Sequence, residues 1–281
     1  VDLKKKINQN TDIGAIIFPY LYGNSDNFIK VLKFIKSKKI LLIEDIAGAF
    51  GGRIKKKYFG SFGDYTVGSF GQGKIIDMSG GGFVSTNDQN IFLDTSMNYN
   101  LLKNYDIKNK RKYERINKIQ SKILSLKKKI YLSKNQIKFY FNGFIYKKKF
   151  SIKYFKQLSK KIEDINKINK LRNKKALYYD KIFNFIFCRP IIHEKGSVYW
   201  RKNFLFKKDA TSELIDQLNR KGFYARKYYP PLNYIFEFLR KKTFNYEKSY
   251  RKLINFWVGV ELKKNHIIEA KKILLNFNNV N

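Results

Sequence analysis

Short apolar runs alternate with an amphipathic segment over the first ninety or so residues, which is typical of an α/β domain. Residues 41–45 (LLIED) predict a buried strand that ends in a carboxylate, and residues 65–70 (YTVGSF) predict a second strand that leads into small residues. The segment at 27–38 carries apolar residues at helical spacing, namely Phe28, Val31, Leu32 and Ile35. A βαβ unit is therefore expected near the start of the chain.

The pattern changes near Ser96 and again after the middle of the chain. A lysine-rich tract runs from Lys103 to Lys149 and includes KNKRKYER (108–115) and FYFNGFIY (139–146). Apolar residues at helical spacing from Ser151 to Phe183 then predict one long helix. A helix near Thr211–Arg220 and the pair Pro230-Pro231 indicate a small α+β domain at the end. We expect three parts: a partial cofactor-binding α/β domain at 1–95, a helical connecting region at 96–185 and an α+β domain at 186–281.

Composition places the chain among globular proteins. It has 281 residues, of which 43% are hydrophobic, so it can bury a sizeable core. A single cysteine, Cys188, precludes an internal disulfide, and with only His193 and His266 beside it we expect no metal centre. No apolar run is long enough to span a bilayer and no signal peptide follows the basic start. These features predict a soluble, cytoplasmic protein.

The formal net charge of +37 normally indicates a polyanionic partner. Only ten of the 59 basic residues are arginine, however, whereas phosphate recognition favours arginine. Lysine, asparagine, isoleucine, phenylalanine and tyrosine are abundant together, as expected from an AT-rich genome. We therefore interpret the charge as codon bias and do not expect a nucleic-acid partner. For residues 103–149 two interpretations stay open: a basic, aromatic surface that binds membrane or nucleic acid, and a helix with a solvated lysine face.

The segment DYTVGSFGQGK (64–74), followed by a glycine run at 80–82, carries the candidate chemistry. Its Gly68 to Lys74 portion fits half of a phosphate-binding P-loop, but Ile75 stands where that loop needs a magnesium-binding hydroxyl. A second interpretation uses three side chains at strand ends. An amine (Lys74) can form a Schiff base, a hydroxyl (Ser69) can hold a phosphate, and a carboxylate (Asp45) can pair with a protonated ring nitrogen. These are the needs of pyridoxal phosphate.

The chain resembles the DegT/StrS family of sugar aminotransferases in five ordered segments. They are AIIFPYLYGN (15–24), LLIEDIAGAFGG (41–52), GSFGD (60–64), GSFGQGK (68–74) and SGGGFVSTND (79–88). Weaker similarity follows in VYWRKNF (198–204) and GFYARKYYPPLN (222–233). The resemblance implies a fold-type I pyridoxal-phosphate enzyme with a partial, mostly parallel sheet, flanking helices and a smaller α+β C-terminal domain. It places the strands at 14–20, 40–45, 65–70 and 82–86 side by side.

The same resemblance implies roles for particular residues. Lys74 corresponds to the lysine that bonds the cofactor, Asp45 to the partner of its ring nitrogen and Ser69 to a phosphate-binding serine. Trp200, Arg201 and Arg226 are candidates for substrate contact, each with a structural role as the alternative. The implied reaction moves an amino group from an amino acid, expected to be glutamate, to a nucleotide-linked keto sugar for surface polysaccharide, in a homodimer. Family dehydratases carry histidine at the lysine position, so Lys74 favours an aminotransferase.

Some positions depart from the family pattern. Gly48 stands where a glutamine or histidine usually touches the cofactor's ring hydroxyl, Gly80 replaces an acidic residue and Asn233 replaces a histidine. Val1 also lies where the family has already completed its first strands, which supply a phosphate-binding turn and an aromatic residue that stacks on the cofactor. The alternative expectation is therefore a truncated or catalytically inactive family member that acts as a binding or scaffold protein.

Overall fold

The structure is a computed structural model that describes residues 2–10, 12–104, 118–119, 131–141, 148–184, 186–210, 212–241 and 246–280. The chain forms two compact units. The first comprises Val1–Leu102, Lys149–Asn173 and Ile192–Trp200; the second comprises Lys103–Lys148, Lys174–Ile191 and Arg201–Asn281. The three-part division expected from the sequence stays a prediction.

The described elements follow one another along the chain as below. The helices are α1 (Asp2–Gln9), α2 (Phe28–Ser37), α3 (Gln89–Asn100), α4 (Lys134–Phe141), α5 (Phe155–Glu163), α6 (Ile165–Ile182), α7 (Ser212–Arg220), α8 (Tyr246–Lys252) and α9 (Lys264–Val280). The strands are β1 (Ala15–Pro19), β2 (Leu41–Asp45), β3 (Arg53–Ile54), β4 (Lys57–Tyr58), β5 (Tyr65–Ser69), β6 (Gly82–Thr86), β7 (Lys103–Asn104), β8 (Lys148–Lys149), β9 (Cys188–Pro190), β10 (Arg201–Phe206) and β11 (Leu253–Trp257). Short 3₁₀ turns lie at Leu21–Gly23, Ile152–Tyr154, Leu232–Tyr234 and Glu237–Leu239.

The first unit is built on a four-stranded sheet in the order β1-β2-β5-β6. Strands β1, β2 and β5 are parallel, and β6 runs antiparallel to β5. The predicted adjacency of the four strands and the mostly parallel character of the sheet are therefore confirmed. Because β6 returns beside β5, the loop at 70–81 lies wholly at the edge of the sheet where β2 and β5 end.

Helix α2 forms as its apolar spacing predicts. Phe28 and Ile35 are fully buried, whereas Lys30, Lys33 and Lys36 are exposed on the other side. The helix begins directly after Asn27, which has left-handed backbone angles (φ 60°), and ends at Ser37. Burial of one apolar face, rather than intrinsic propensity, accounts for a helix of this length.

The single long helix predicted from Ser151 to Phe183 is wrong in one respect. A turn at Asp164 separates α5 from α6. Apolar spacing continues across the turn, with Leu158 before it and Ile165 after it both buried, so periodicity alone does not reveal it. Ile165 packs against Gly51, where an added Cβ would lie 2.6 Å from Ile165 Cγ1, so this approach requires glycine.

The second unit contains an antiparallel sheet in the order β11-β10-β9. Its core is aromatic, with Phe183 5.2 Å from both Phe204 and Phe256 between ring centroids. Helix α7 buries Leu214 and Leu218. The expected α+β character of the C-terminal part is confirmed.

Some predictions fall on residues that the structure does not describe. KNKRKYER (108–115), most of FYFNGFIY (139–146) and Thr211 lie outside the described residues. Within the described part of the chain, none of the helices combines the length and apolar character needed to cross a bilayer.

Candidate functional site

Asp45 and Ser69 lie at the carboxyl ends of neighbouring parallel strands. Asp45 is the last residue of β2 and pairs in register with Val67 of β5. Ser69 follows Val67 by two residues, about 7 Å along the strand, and therefore faces the same side of the sheet. Ligands of open α/β sheets bind just outside such strand ends. The structure thus brings two of the predicted site residues to one edge.

The Asp45 carboxylate is half-buried and holds the turn that follows strand β2. Its Oδ1 accepts a hydrogen bond from the backbone N–H of Ala47 at 2.9 Å. The backbone also fixes the residue, because its carbonyl oxygen accepts from Tyr20 N at 3.0 Å. A carboxylate has lone pairs for further donors on both oxygens. Asp45 can therefore receive an N–H of a ligand while its orientation is held.

Ser69 begins the loop that carries Lys74. Its Oγ accepts from the backbone N–H of Gly71 at 3.1 Å, which leaves the hydroxyl proton to donate. Glycine at the preceding position leaves room for Phe83 of the neighbouring strand β6, because a Cβ at Gly68 would lie 2.1 Å from Cε1 of that ring and the ring would have to move. The small-residue pattern in this segment therefore reflects packing as well as access to a ligand.

Lys74 is half-buried in this loop, which Asp77 closes. The Asp77 carboxylate accepts from Gly73 N at 2.6 Å and from Ser79 N at 2.7 Å. Its backbone carbonyl accepts from the ammonium of Lys161 on α5. The residues on both sides of Lys74 are thus tied to one carboxylate, which the sequence motif does not show because the contact depends on the shape of the loop.

Trp200 lies against Lys74, and its predicted contact with substrate stays a prediction. The Lys74 Nζ is 4.8 Å from the centroid of the Trp200 ring, and Trp200 Nε1–H donates to Gly73 O at 2.6 Å. The ring also faces Gly48, three residues after Asp45. All of these residues belong to the first unit.

Arg201 and Arg226 lie in the second unit and have backbone partners there. Arg201 is buried, donates from Nη1 to Tyr224 O at 2.8 Å and packs its guanidinium 4.6 Å from the Trp257 ring. Burial lowers the pKa of Arg201 to about 10, and the nearby Tyr228 acts in the opposite direction. Arg226 is half-buried and its Nη1 donates to Ala225 O at 3.0 Å. Their proposed contact with substrate stays a prediction.

Sequence reasoning missed Glu44, the residue before Asp45. Its carboxylate is fully buried and accepts from Tyr20 Oη at 2.6 Å, and from three backbone N–H groups. Those groups belong to Gly60 (2.8 Å), Phe62 (2.7 Å) and Gly63 (2.6 Å). Burial, followed by the hydrogen bond to Glu44, raises the pKa of Tyr20 above its ordinary value. The adjacent acidic pair at the end of an apolar strand was the available signal, because one of two alternating carboxylates must face the core.

Three of the predicted residues fit a pyridoxal phosphate cofactor by their chemistry. Lys74 supplies an amine, Asp45 a half-buried carboxylate and Ser69 a hydroxyl next to the backbone amides of the loop. They lie at one edge of one sheet, and the glycines around Lys74 allow a close approach of the backbone there. The donor set matches an aldehyde, a ring nitrogen and a phosphate.

Comparison with known proteins finds a matching family profile and several similar proteins. A profile of the DegT/DnrJ/EryC1/StrS aminotransferase family matches residues 1–269. GDP-perosamine synthase of Escherichia coli O157:H7 is 38% identical over 91 residues, which are 32% of this chain and 24% of that protein. UDP-4-amino-4,6-dideoxy-N-acetyl-beta-L-altrosamine transaminase of Campylobacter jejuni is 32% identical over 108 residues, covering 38% of this chain and 28% of that protein. The matched segments thus span about a quarter of the length of these relatives.

Solved structures share the fold. The Helicobacter pylori aminotransferase PseC, involved in the biosynthesis of pseudoaminic acid, aligns with a TM-score of 0.68 at 17% identity, over 100% of this chain and 70% of that one. The Escherichia coli GDP-4-keto-6-deoxy-D-mannose-3-dehydratase, solved with bound hydrated PLP, aligns with a TM-score of 0.66 at 18% identity, over 98% of this chain and 70% of that one. The expected fold-type I architecture is therefore confirmed.

Proposed function

Because the chain belongs to the DegT/DnrJ/EryC1/StrS aminotransferase family, we propose that it is a pyridoxal-phosphate-dependent sugar aminotransferase. It would move an amino group from an amino acid, with glutamate as the expected donor, to a nucleotide-linked keto sugar. Similarity to GDP-perosamine synthase and to the altrosamine transaminase supports this substrate class. The observation that carries the proposal is the placement of Asp45, Ser69 and the Lys74 loop at one sheet edge.

Three residues would hold the cofactor. Lys74 would bond its aldehyde carbon, Asp45 would pair with its ring nitrogen and Ser69 would donate to its phosphate. When bound, pyridoxal phosphate supplies an electron sink for the charge that develops at the substrate carbon. The negative charge of Asp45 favours the protonated ring nitrogen, which makes that sink effective.

Lys74 would also move the proton. When it is not bonded to the cofactor, its neutral Nζ would accept the proton that leaves the substrate carbon, as a general base, and the resulting ammonium would release that proton again as a general acid. The loop contacts of Asp77 on Gly73 N and Ser79 N hold the lysine backbone during this exchange. Proton transfer needs a fixed distance, so a braced loop serves the reaction.

The cellular setting and assembly are finer parts of the proposal. We place the reaction in surface-polysaccharide biosynthesis in the cytoplasm. We also propose a homodimer, which the exposed apolar side chains of α3 support. Phe92 and Met97 are 55% and 63% exposed, and none of the α3 residues is buried. Apolar area of this kind is typical of a surface that another polypeptide covers.

The direct test is covalent capture of pyridoxal phosphate. The 281-residue chain is incubated with the cofactor, reduced with borohydride and digested for peptide mass spectrometry. We expect the label on Lys74, with loss of the bound-cofactor absorbance band in Lys74→Ala and retention in the exposed control Lys30→Ala. Equal labelling of many lysines, with no difference between the two variants, would contradict the proposal.

An inactive family member is the second candidate. Gly48 favours it, since the side chain expected to touch the ring hydroxyl is absent at that position. A binding or scaffold protein would retain the fold but leave no new nitrogen on the sugar, whether or not Lys74 captures the cofactor. Product analysis with a labelled amino donor therefore discriminates the two candidates.

A dehydratase is the third candidate, because a dehydratase is among the proteins of similar fold. Lys74 favours amino transfer, since the family's dehydratases carry histidine there. Product analysis distinguishes the two: an aminotransferase leaves nitrogen on the sugar, whereas a dehydratase removes an oxygen and leaves no new nitrogen.

A further inference from the structure

The indole of Trp200 is buried beside both Lys74 and Gly48. Trp200 is 6% exposed, and its ring centroid lies 4.8 Å from Lys74 Nζ. Gly48 lies on the ring itself: an added Cβ would be 3.6 Å from Cε3 and 3.7 Å from Cδ2. One aromatic side chain thus touches the lysine proposed to bond the cofactor and fills the space beside the departure from the family pattern.

Several hydrogen bonds fix the indole in this place. Its Nε1–H donates to Gly73 O at 2.6 Å, one residue before Lys74. Its backbone N–H donates to Tyr22 O at 3.0 Å, and its carbonyl accepts from Arg172 Nη2 at 2.7 Å. Arg172 is itself 3% exposed. Trp200 is therefore held by hydrogen bonds both at its backbone and at its ring nitrogen.

We propose that Trp200 is a positioning residue for Lys74, and that position 48 is glycine because the indole occupies the space a longer side chain would need. The ring face holds the amine and the ring nitrogen holds the backbone that precedes it. That this placement serves cofactor chemistry rests on the proposed function, whereas the placement itself is testable without any cofactor.

The cation–π contact predicts in which direction the Trp200 ring changes protonation of the Lys74 amine. An aromatic face attracts a cation through its quadrupole, so it favours the protonated Lys74 amine. Removing the aromatic face should let the amine lose its proton at lower pH. The size follows from a cation–π contribution of about 0.5–2 kcal/mol, which corresponds to roughly a two- to thirtyfold change in the fraction of neutral amine.

The first test measures amine reactivity in the chain without cofactor. Lysines are acetylated briefly with trace acetic anhydride across a pH series, and labelling of Lys74 is compared with that of exposed Lys30 by mass spectrometry. In Trp200→Leu the midpoint pH for Lys74 should fall and its labelling near neutral pH should rise severalfold. In Trp200→Phe, which keeps an aromatic face, the midpoint should stay close to that of the native chain.

The shape of the pH profile separates positioning from simple shielding. If Trp200 only covered Lys74, both variants would raise the labelling plateau equally and leave the midpoint unchanged. That outcome, or no change in Lys74 relative to Lys30, would overturn the proposal. Circular dichroism of each variant establishes that it is folded before its profile is compared.

The second test uses position 48 in a chain that keeps its tryptophan. Gly48→Ala adds only a Cβ at ordinary contact distance and should leave the Lys74 profile unchanged. Gly48→Gln should displace the indole and shift the midpoint in the same direction as Trp200→Leu. In the double variant Gly48→Gln with Trp200→Leu, the added glutamine should have little further effect, because the ring it displaces is gone.

Additive effects of the two substitutions would contradict the coupling of Gly48 and Trp200. Both tests are carried out on the apo chain, so a failure of pyridoxal phosphate capture leaves them valid. Conversely, unchanged Lys74 profiles together with normal cofactor capture would reject this inference and leave the proposed function standing.

Discussion

At the residue scale, the two acidic residues that end β2 have different roles: Glu44 stabilises the fold, whereas Asp45 faces the candidate site. Glu44 points into the core and is consumed by four hydrogen bonds, whereas Asp45 faces the strand edge with one oxygen bonded to Ala47 N. Alternation of side chains along a strand imposes this division. The buried Glu44 thereby fixes the strand end from which Asp45 projects.

Glu44→Gln should destabilise the first unit. The amide replaces one acceptor oxygen with a donor that faces N–H groups, so at least one buried donor loses its partner, at a cost of about 1–3 kcal/mol. Urea unfolding measures the loss, with the exposed Glu163→Gln as the control that should change stability by less than about 0.5 kcal/mol. Equal stability of the two variants would show that the hydrogen bonds accepted by Glu44 do not stabilise the first unit.

The part-buried amine of Lys227 should make the stability of the second unit depend on pH. Burial lowers its pKa from 10.5 to about 8, with Asp209 opposing that shift and Arg251 adding to it. Its Nζ donates to Ala210 O and Arg251 O and lies 5.2 Å from the Tyr250 ring centroid. Between the two pKa values the unfolded chain binds a proton that the folded chain does not, so this lysine makes stability rise with pH across that window.

Lys227→Met should remove that contribution. The difference in unfolding free energy between the native chain and the variant should be constant below pH 8 and should change in favour of the native chain between pH 8 and 10.5. Urea titrations of both proteins across this range measure it. Parallel pH profiles throughout would contradict the shifted pKa.

At the element scale, the sequence predicts what depends on local pattern. The four strands of the first unit and helix α2 appear close to their expected bounds, because apolar runs and helical spacing report which face is buried. The turn at Asp164 and the hydrogen bonds of Asp77 to the Lys74 loop cannot be predicted in this way, because both depend on the three-dimensional packing of the chain. The Lys74 loop motif was visible in sequence, but the side chains that hold it were not.

Asp77→Ala should loosen the loop between β5 and β6. Loss of the carboxylate frees Gly73 N and Ser79 N, so Lys74 should sample more positions and capture pyridoxal phosphate several times more weakly. Capture is followed by absorbance against cofactor concentration. The exposed Asp26→Ala, which lies before α2, is the control, and equal capture by both variants would show that Asp77 does not position the lysine.

At the scale of the whole molecule, exposed apolar surface favours self-association and the net charge opposes it. A net charge of +37 disfavours self-association, whereas the sheet edge and α3 expose large apolar side chains such as Ile17, Phe92 and Met97. Screening by salt weakens the repulsion and leaves the apolar contribution intact. Association of two copies should therefore strengthen as salt concentration rises.

Leu93→Glu with Met97→Glu tests the homodimer. If α3 lies in the interface, light scattering at moderate salt should give a dimer for the native chain and a monomer for this variant. Gln9→Glu on the exposed face of α1 is the control and should stay dimeric. A native chain that is monomeric at all salt concentrations would contradict the proposed assembly.

Transfer of nitrogen to the sugar is the most direct test of the central claim. The full chain, loaded with pyridoxal phosphate, is given glutamate labelled with heavy nitrogen and a nucleotide-linked keto sugar, and the sugar product is analysed by mass spectrometry. Heavy nitrogen in the sugar from the native chain and none from Lys74→Ala is the result we expect. Capture of the cofactor at Lys74 with no nitrogen in any nucleotide sugar tested would contradict the account and favour an inactive family member.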